Sequence, residues 1–357
     1  LESSIFPNET FIFSQITTTD AVPVDFKLAS DQNIQIERLF LPQGLESPSK
    51  ATVESSNGRI ISFFIGEAPR IVADEIDLTA KTGIFGSLIR YLDSSGIIRT
   101  SQFFGVNGTT IAATTEQEYE SVDGSKYGIY LRNTLSSGSG DTKIKLSVTD
   151  PESDGIIYFT QSGGGSLSVM ADGAKTTGGA VRIENASGDL FLKGPIITKG
   201  GSASFLAGSG GSATVTEVTG KIDTRLPDED VKLADDLGGP VSFTEVANSV
   251  VIDGAVHTGG RDFTVDSRGT ASQAEFKSTA LIDTQLFLEN DKTKEEHFLA
   301  AGNVTIRAEN DIQIGADVSG DTIEIASDGG SAGTLLPCDT SSVCFTGNPT
   351  LLARNNG

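Results

Sequence analysis

Apolar and polar residues alternate along this chain in very short runs. "DFKLAS" (25–30), "EIDLTA" (75–80), "KIKLSV" (143–148), "VRIEN" (181–185), "FTVDS" (263–267), "VTIRAE" (304–309) and "TIEIAS" (322–327) each place every second side chain on one face. A period of two is the signature of a half-buried strand, and Gly, Asn, Asp or Ser ends almost every run. Helical spacing is nearly absent. Single helical turns are expected only at "EEHFLAAGN" (295–303) and "DEDVKLADDLGG" (228–239).

A longer phrase recurs: "GGAVRIENASGDLFLKGPIIT" from Gly178, "GGPVSFTEVANSVVIDGAVHT" from Gly238 and "AGNVTIRAENDIQIGADVS" from Ala301. Each copy holds two short β patches, a glycine after the second (Gly194, Gly254, Gly315), and a further apolar residue. Repetition of this kind marks an architecture in which one unit stacks on the next. The joins are Gly-Gly, Ser-Gly and Asp-Gly clusters that suit corners better than reversals, which argues against a sandwich of hairpins. The fold expected is therefore all-β, a parallel β-solenoid with side insertions. Its inward columns would be Val181/Val241/Val304, Leu192/Ile252/Ile314 and Phe205/Val265/Ile325. At a period of about sixty residues the copies cannot be adjacent coils, so each repeat should hold two or three coils, or one coil and a side insertion. At about 4.8 Å per coil the second half would build a rod some tens of ångströms long.

Three parts are expected. Residues 1–65 carry longer strands and four of the eleven prolines, and would form a β cap or adapter over the open edge. Residues 66–335 would form the solenoid, and residues 336–357 a tail.

Composition narrows the function. With 26 Lys+Arg against 48 Asp+Glu, the net charge of −22 repels phosphates and anionic lipid, so nucleic acid is not an expected partner. The chain has no Trp and one Met, which fits a narrow aliphatic core and counts against an aromatic-lined catalytic cleft. No apolar run reaches the roughly 18 residues that span a bilayer, so no transmembrane segment is expected. The start "LESSIF" reads as a mature or excised piece.

Candidate chemistry is sparse. Cys338 and Cys344 in "PCDTSSVCF" are too far apart for a C-x-x-C site. They are expected as a local disulfide worth about 2 kcal/mol, in keeping with an oxidising compartment. His257 ("AVHTGG") and His297 ("KEEHFLA") lack a motif partner and read as surface residues. "DPESDG" resembles the opening of a calcium loop, with Asp150, Glu152 and Asp154 at alternate positions, although Pro151 and Gln161 break the pattern. Calcium is the only cofactor to consider. "LPDEDVKLADDLGG" gathers Asp228, Glu229, Asp230, Asp235 and Asp236 in an acidic insertion near Lys221, Arg225 and Lys232. "GSGGSA" (208–213) precedes β-patterned sequence and is a corner, not a dinucleotide loop. Asn8, Asn107, Asn185 and Asn303 open formal N-glycosylation triplets.

The phrases "EIDLTAKTGIFGSLIRYLDSSG", "YGIYLRNT", "GDLFLKGPIITKGG" and "AGNVTIRAENDIQIGADVSGDTIEIASDGG" resemble the repetitive stalks of filamentous haemagglutinin-like bacterial adhesins, over residues 70–330. The resemblance implies a right-handed parallel β-helix, export, a cell-surface location, and an adhesive or fibrous role through self-association or a glycan ligand. The expectation is a non-enzymatic structural protein. The alternatives are a β-helix polysaccharide lyase or hydrolase, and a viral tail-spike-like fibre.

Overall fold

The computed structural model describes residues 10–18, 22–62, 68–86, 90–92, 98–100, 103–120, 126–135, 140–186, 188–208, 214–227, 237–244, 248–268, 274–289, 296–327, 343–345 and 351–353. These residues form strands and no helix. The coil strands pair in parallel and in sequence order, as a parallel β-helix requires, and three short hairpins in the insertions pair antiparallel. Two compact units divide the chain, Leu1–Gly165 and Ser166–Gly357.

In the first unit, one inward column is almost pure isoleucine. Ile34, Ile60, Ile84, Ile129 and Ile157 sit opposite one another on successive coils, and all five are fully buried. A second sheet carries Leu28, Val53, Leu78, Ala113 and Leu146 in register. A third column begins apolar, with Leu39, Ile71 and Val106, and then turns to amides at Asn133 and Gln161. Both amides are fully buried. Asn133 Nδ2 donates to Gly108 O, Thr142 Oγ1 and Gln161 Oε1, while Asn133 Oδ1 accepts from the Gly108 N–H. A buried amide is tolerable because these bonds satisfy it.

The second unit explains the repeated phrase. Val181, Ala203, Val241, Phe263, Val304 and Ile323 form one inward column. Ile183, Phe205, Phe243, Val265, Ile306 and Ile325 form the next. Leu192, Val218, Ile252, Ser278 and Ile314 line the second sheet. The three expected columns therefore exist, with one further coil between successive copies. Short coils (181–202, 241–262) alternate with long ones (203–240, 263–303), so each repeat of about sixty residues is two coils, the second bearing an insertion. The glycine corner is a matter of contact. A Cβ on Gly220 would strike the carbonyl of Gly194, and one on Gly254 the carbonyl of Gly220. Only a residue without a side chain lets these backbones stack so closely.

Sequence inspection missed a column of threonines. Thr176, Thr198, Thr224, Thr258 and Thr284 are buried at one corner of successive coils. Each backbone N–H donates to the next coil, at 2.8 to 3.1 Å. Each Oγ1 donates to the carbonyl where the chain re-enters the next sheet: Gly179, Gly201, Gly239, Arg261 and Gly302. For Thr224 and Thr284 that carbonyl lies at the far end of an insertion. The hydroxyl thus closes the mouth of the insertion, and the stack continues undisturbed beyond it.

One expectation is corrected. Glu296–Ala301 is not a helical turn but a strand antiparallel to Gln285–Glu289, with Phe298 edge-on to Phe287 at 5.8 Å. A contiguous apolar run such as "FLAA" reads either way, and the partner strand decides it. Within residues 1–65, Asp25–Ser30 pairs in parallel with Lys50–Ser55, and Lys50–Ser55 with Glu75–Ala80. The 336–357 segment likewise contributes Val343–Phe345 and Leu351–Ala353 in parallel with the preceding coil. The chain divides at residue 165, inside the expected solenoid. The helical turn at 228–239 falls, except for its last residues, outside the described residues.

Candidate functional site

The first unit carries a second apolar cluster outside its coils. Tyr130 and Tyr158 face outward at paired positions, and Ile61 and Phe85 do so on earlier coils. A two-stranded insertion, Tyr119–Glu120 with Lys126–Tyr127, sets Tyr119 opposite Tyr127. Four of the chain's five tyrosines thus converge where the sequence spreads them across forty positions. Phe85 stacks on Tyr119 at 5.3 Å and meets Tyr127 at the same separation. Tyr127 meets Tyr130 at 5.3 Å, and Phe103 stands edge-on to Tyr158 at 4.6 Å. Arg59, itself buried, lies 4.1 Å over the Tyr119 ring, and Arg132 lies 5.0 Å over Phe103.

Ring pairs of this geometry contribute about 0.5–1.5 kcal/mol each beyond the area they bury. The cluster therefore fastens the insertion to the coil face. Burial, then the neighbouring Tyr127 and Tyr158 rings, pushes the Tyr130 hydroxyl up to about 12, so it stays neutral at physiological pH. Phe103, Tyr119 and Tyr158 remain half-buried. They offer ring faces and a guanidinium at the surface, chemistry suited to stacking on a sugar or a partner side chain.

The expected calcium residues lie beside this insertion, and the structure does not gather them round one point. Asp154 Oδ2 accepts from Lys126 Nζ at 3.0 Å, and Lys126 also reaches Glu118 at 3.3 Å. Asp150 accepts from Gln117 Nε2 at 2.6 Å and from the Glu152 N–H at 3.0 Å. These two bonds, the Gln117 bond foremost, hold its carboxyl below the usual range. Ser153 Oγ donates to Glu118 and accepts from the Glu118 N–H. The carboxylates are turned to different protein donors, and the turn serves as a post for the insertion. Among the described residues no three His, Cys, Asp or Glu side chains form a metal-binding group.

The other expected residues are dispersed. Lys221 and Arg225, expected near the acidic insertion, are both bound by Asp223. Asp228, Glu229, Asp230, Lys232, Asp235 and Asp236 lie outside the described residues, as does Cys338; Cys344 is placed in a strand, and the disulfide is therefore outside what the structure describes. His297 pairs across from Leu288 in the second-unit hairpin. His257 lies between two aspartates on an outer face of the second unit. Asn185 is fully buried, with Nδ2 bonded to Asp189 O, so its triplet is closed to a glycosylating enzyme in the folded state.

No described helix is long and apolar enough to cross a membrane. Comparison with known protein families, with characterised proteins and with solved structures finds no match to this chain.

Proposed function

We propose that this chain is a structural and adhesive segment of an extracellular, cell-surface fibre. The observation that carries the reading is the continuity of the coil columns within each unit. Every coil spends its inward residues on stacking and its corner hydroxyls and amides on backbone carbonyls. Such a framework resists extension because backbone hydrogen bonds run along the stack and break together. The insertions, anchored on the framework without interrupting it, are the surfaces free to meet partners. The half-buried rings of Phe103, Tyr119 and Tyr158, with Arg132, supply the contact chemistry for a glycan. Self-association of coils extends the same pairing between chains.

Negative-stain microscopy of the full chain at high concentration, with a glycan array on the same preparation, tests this. Filaments or ordered multimers, with retention of particular glycans, are expected. Isolated short particles with no glycan retained, or cleavage of acidic polysaccharides, would overturn it.

A further inference from the structure

Elsewhere among the described residues, aromatic pairs are built from phenylalanine alone: Phe13 with Phe26, Phe205 with Phe243, Phe243 with Phe263, and Phe287 with Phe298. The cluster on the outer face of the first unit draws instead on tyrosine. It holds four of the chain's five tyrosines, although phenylalanine is far commoner, at 19 residues. Phenylalanine would bury the same ring with no hydroxyl to desolvate, so packing alone does not account for the choice. The fifth tyrosine, Tyr91, stands on a separate hairpin, Arg90–Leu92 with Ile98–Thr100.

What the hydroxyl adds is redox chemistry. A phenol gives up an electron and a proton far more readily than a plain phenyl ring does. The chain has no tryptophan, so tyrosine supplies its readily oxidised rings, and the fold gathers four of them in one place.

Tyr130 sits at the centre, its ring 5.3 Å from Tyr127 and 6.1 Å from Tyr158. The rings around it differ in setting. Tyr127 is buried, with Phe85 against it at 5.3 Å. Tyr119 has the Arg59 guanidinium 4.1 Å over its ring, and a cation held on the ring face opposes the loss of an electron from it. Tyr158 is half-buried and so open to an oxidant from outside. It also occupies the same outward position as Tyr130 on the next coil, with the two ring planes crossed at 62°, edge to face. Neighbouring coils stand about 4.8 Å apart, so rotation about the side-chain bonds brings the ring edges together while the backbone stays in place.

We propose that Tyr130 and Tyr158 form an oxidative cross-linking site, at which hydrogen peroxide acting through a haem peroxidase joins two coils by a carbon–carbon bond. Each phenol loses one electron and its hydroxyl proton. The two radicals couple at ring carbons next to the carbon that bears oxygen, and the hydrogens on those carbons return to the oxygens as the rings regain aromaticity. The two electrons and two protons reduce one hydrogen peroxide to two waters, and the chain becomes lighter by two hydrogens. Burial keeps the Tyr130 hydroxyl protonated up to about 12, so at neutral pH its electron and proton leave together. The bond lies within one chain and forms whether or not chains assemble into fibres.

Oxidation of the full chain by a haem peroxidase with one equivalent of hydrogen peroxide, read by dityrosine fluorescence and peptide mass spectrometry, tests the site. The tryptic peptide Leu146–Lys175 should be found joined to Tyr127–Arg132, in protein with the mass of a single chain less two hydrogens. Tyr130→Phe keeps the ring and leaves Tyr127 in the same peptide, yet it should abolish the joined pair. Unfolding in urea before oxidation should scatter the links among the five tyrosines. Absence of dityrosine, links only between chains, or links confined to Tyr91 or to the 127–132 peptide would overturn the site. So would a joined pair that survives Tyr130→Phe, or the same selective pairing in urea.

Discussion

The two units solve one problem with different residues. Each must turn corners whose backbone carbonyls would otherwise be buried without partners. The first unit uses amides, Asn133 and Gln161, that link coil to coil and fill the column where Leu39, Ile71 and Val106 precede them. The second uses threonines, one per coil, whose hydroxyls bond the re-entry carbonyls; those of Thr176, Thr224 and Thr284 also reach a carbonyl of the next coil, at 3.0 to 3.3 Å. An amide column couples neighbouring coils side chain to side chain, so loss of one member is felt by several. A threonine column couples them through backbone carbonyls alone, and the lengths of the insertions beside it vary.

Asn133→Val breaks the comparison hardest. It strips partners from Gly108 N–H and C=O and from Gln161 at once, in full burial. With about 1–3 kcal/mol for each buried group left unpaired, a loss of about 3 kcal/mol or more is expected. Chemical denaturation followed by hydrogen exchange in residues 104–162 measures it. A loss under about 1 kcal/mol would mean that water or backbone shifts replace the amide.

Thr258→Val keeps the shape and removes one hydroxyl donor, so about 1–2 kcal/mol is expected. The effect should stay on the coils next to residue 258. Equal loss of protection throughout the second unit would show that this column is as coupled as the amides.

The units should also fail at opposite ends of the pH scale. In the first, Tyr130 keeps its proton up to about 12, whereas an unfolded tyrosine loses it at about 10. The folded state then holds the extra proton between those values, and stability falls as pH rises through them. In the second, Asp223, Asp266 and Asp283 are held below their ordinary values. Their contribution is present above the unfolded value of about 3.9 and is lost as pH falls through the depressed ones. Melts across the pH range, with tyrosine absorbance and unit-resolved exchange, separate the two. Uniform loss at either extreme would contradict the assignment.

The smallest effect belongs to Lys126→Ala. Its ammonium and the Asp154 carboxylate are open to water, with only Glu118 largely buried, so no more than about 1 kcal/mol is expected. Faster proteolysis within 119–127, with the coils intact, would confirm that this lysine anchors the insertion alone.

Much of the fold was legible because alternation reports burial directly. Val181, Val241 and Val304 share a column as their spacing suggests, and the glycines at 194 and 254 are required by backbone contact. The sixty-residue period already called for more than one coil per repeat, but which residues form the second was hidden by unequal insertions, which make 203–240 and 263–303 look unlike 181–202. The threonine column was overlooked because threonine in a strand looks ordinary. Its trace is the phrase "IIT", "IDT", "VHT", "IDT" ending at 198, 224, 258 and 284. The aromatic cluster had no local signal, since its rings come from coils and an insertion that only the fold brings together. The expected calcium turn failed for a related reason. Alternation of carboxylates says nothing about the Lys126 and Gln117 donors that arrive from another coil.

Cysteine cross-linking tests the pairing of coils most directly. Arg182, Ser204 and Ser242 occupy one outward column on three successive coils. Neighbours about 4.8 Å apart fall within disulfide reach, and residues two coils apart do not. With Cys338 and Cys344 replaced by serine, Ser204→Cys with Ser242→Cys should oxidise readily, and Arg182→Cys with Ser242→Cys should stay reduced. The reverse pattern would stack successive copies of the phrase directly, with no coil between them, and contradict the account.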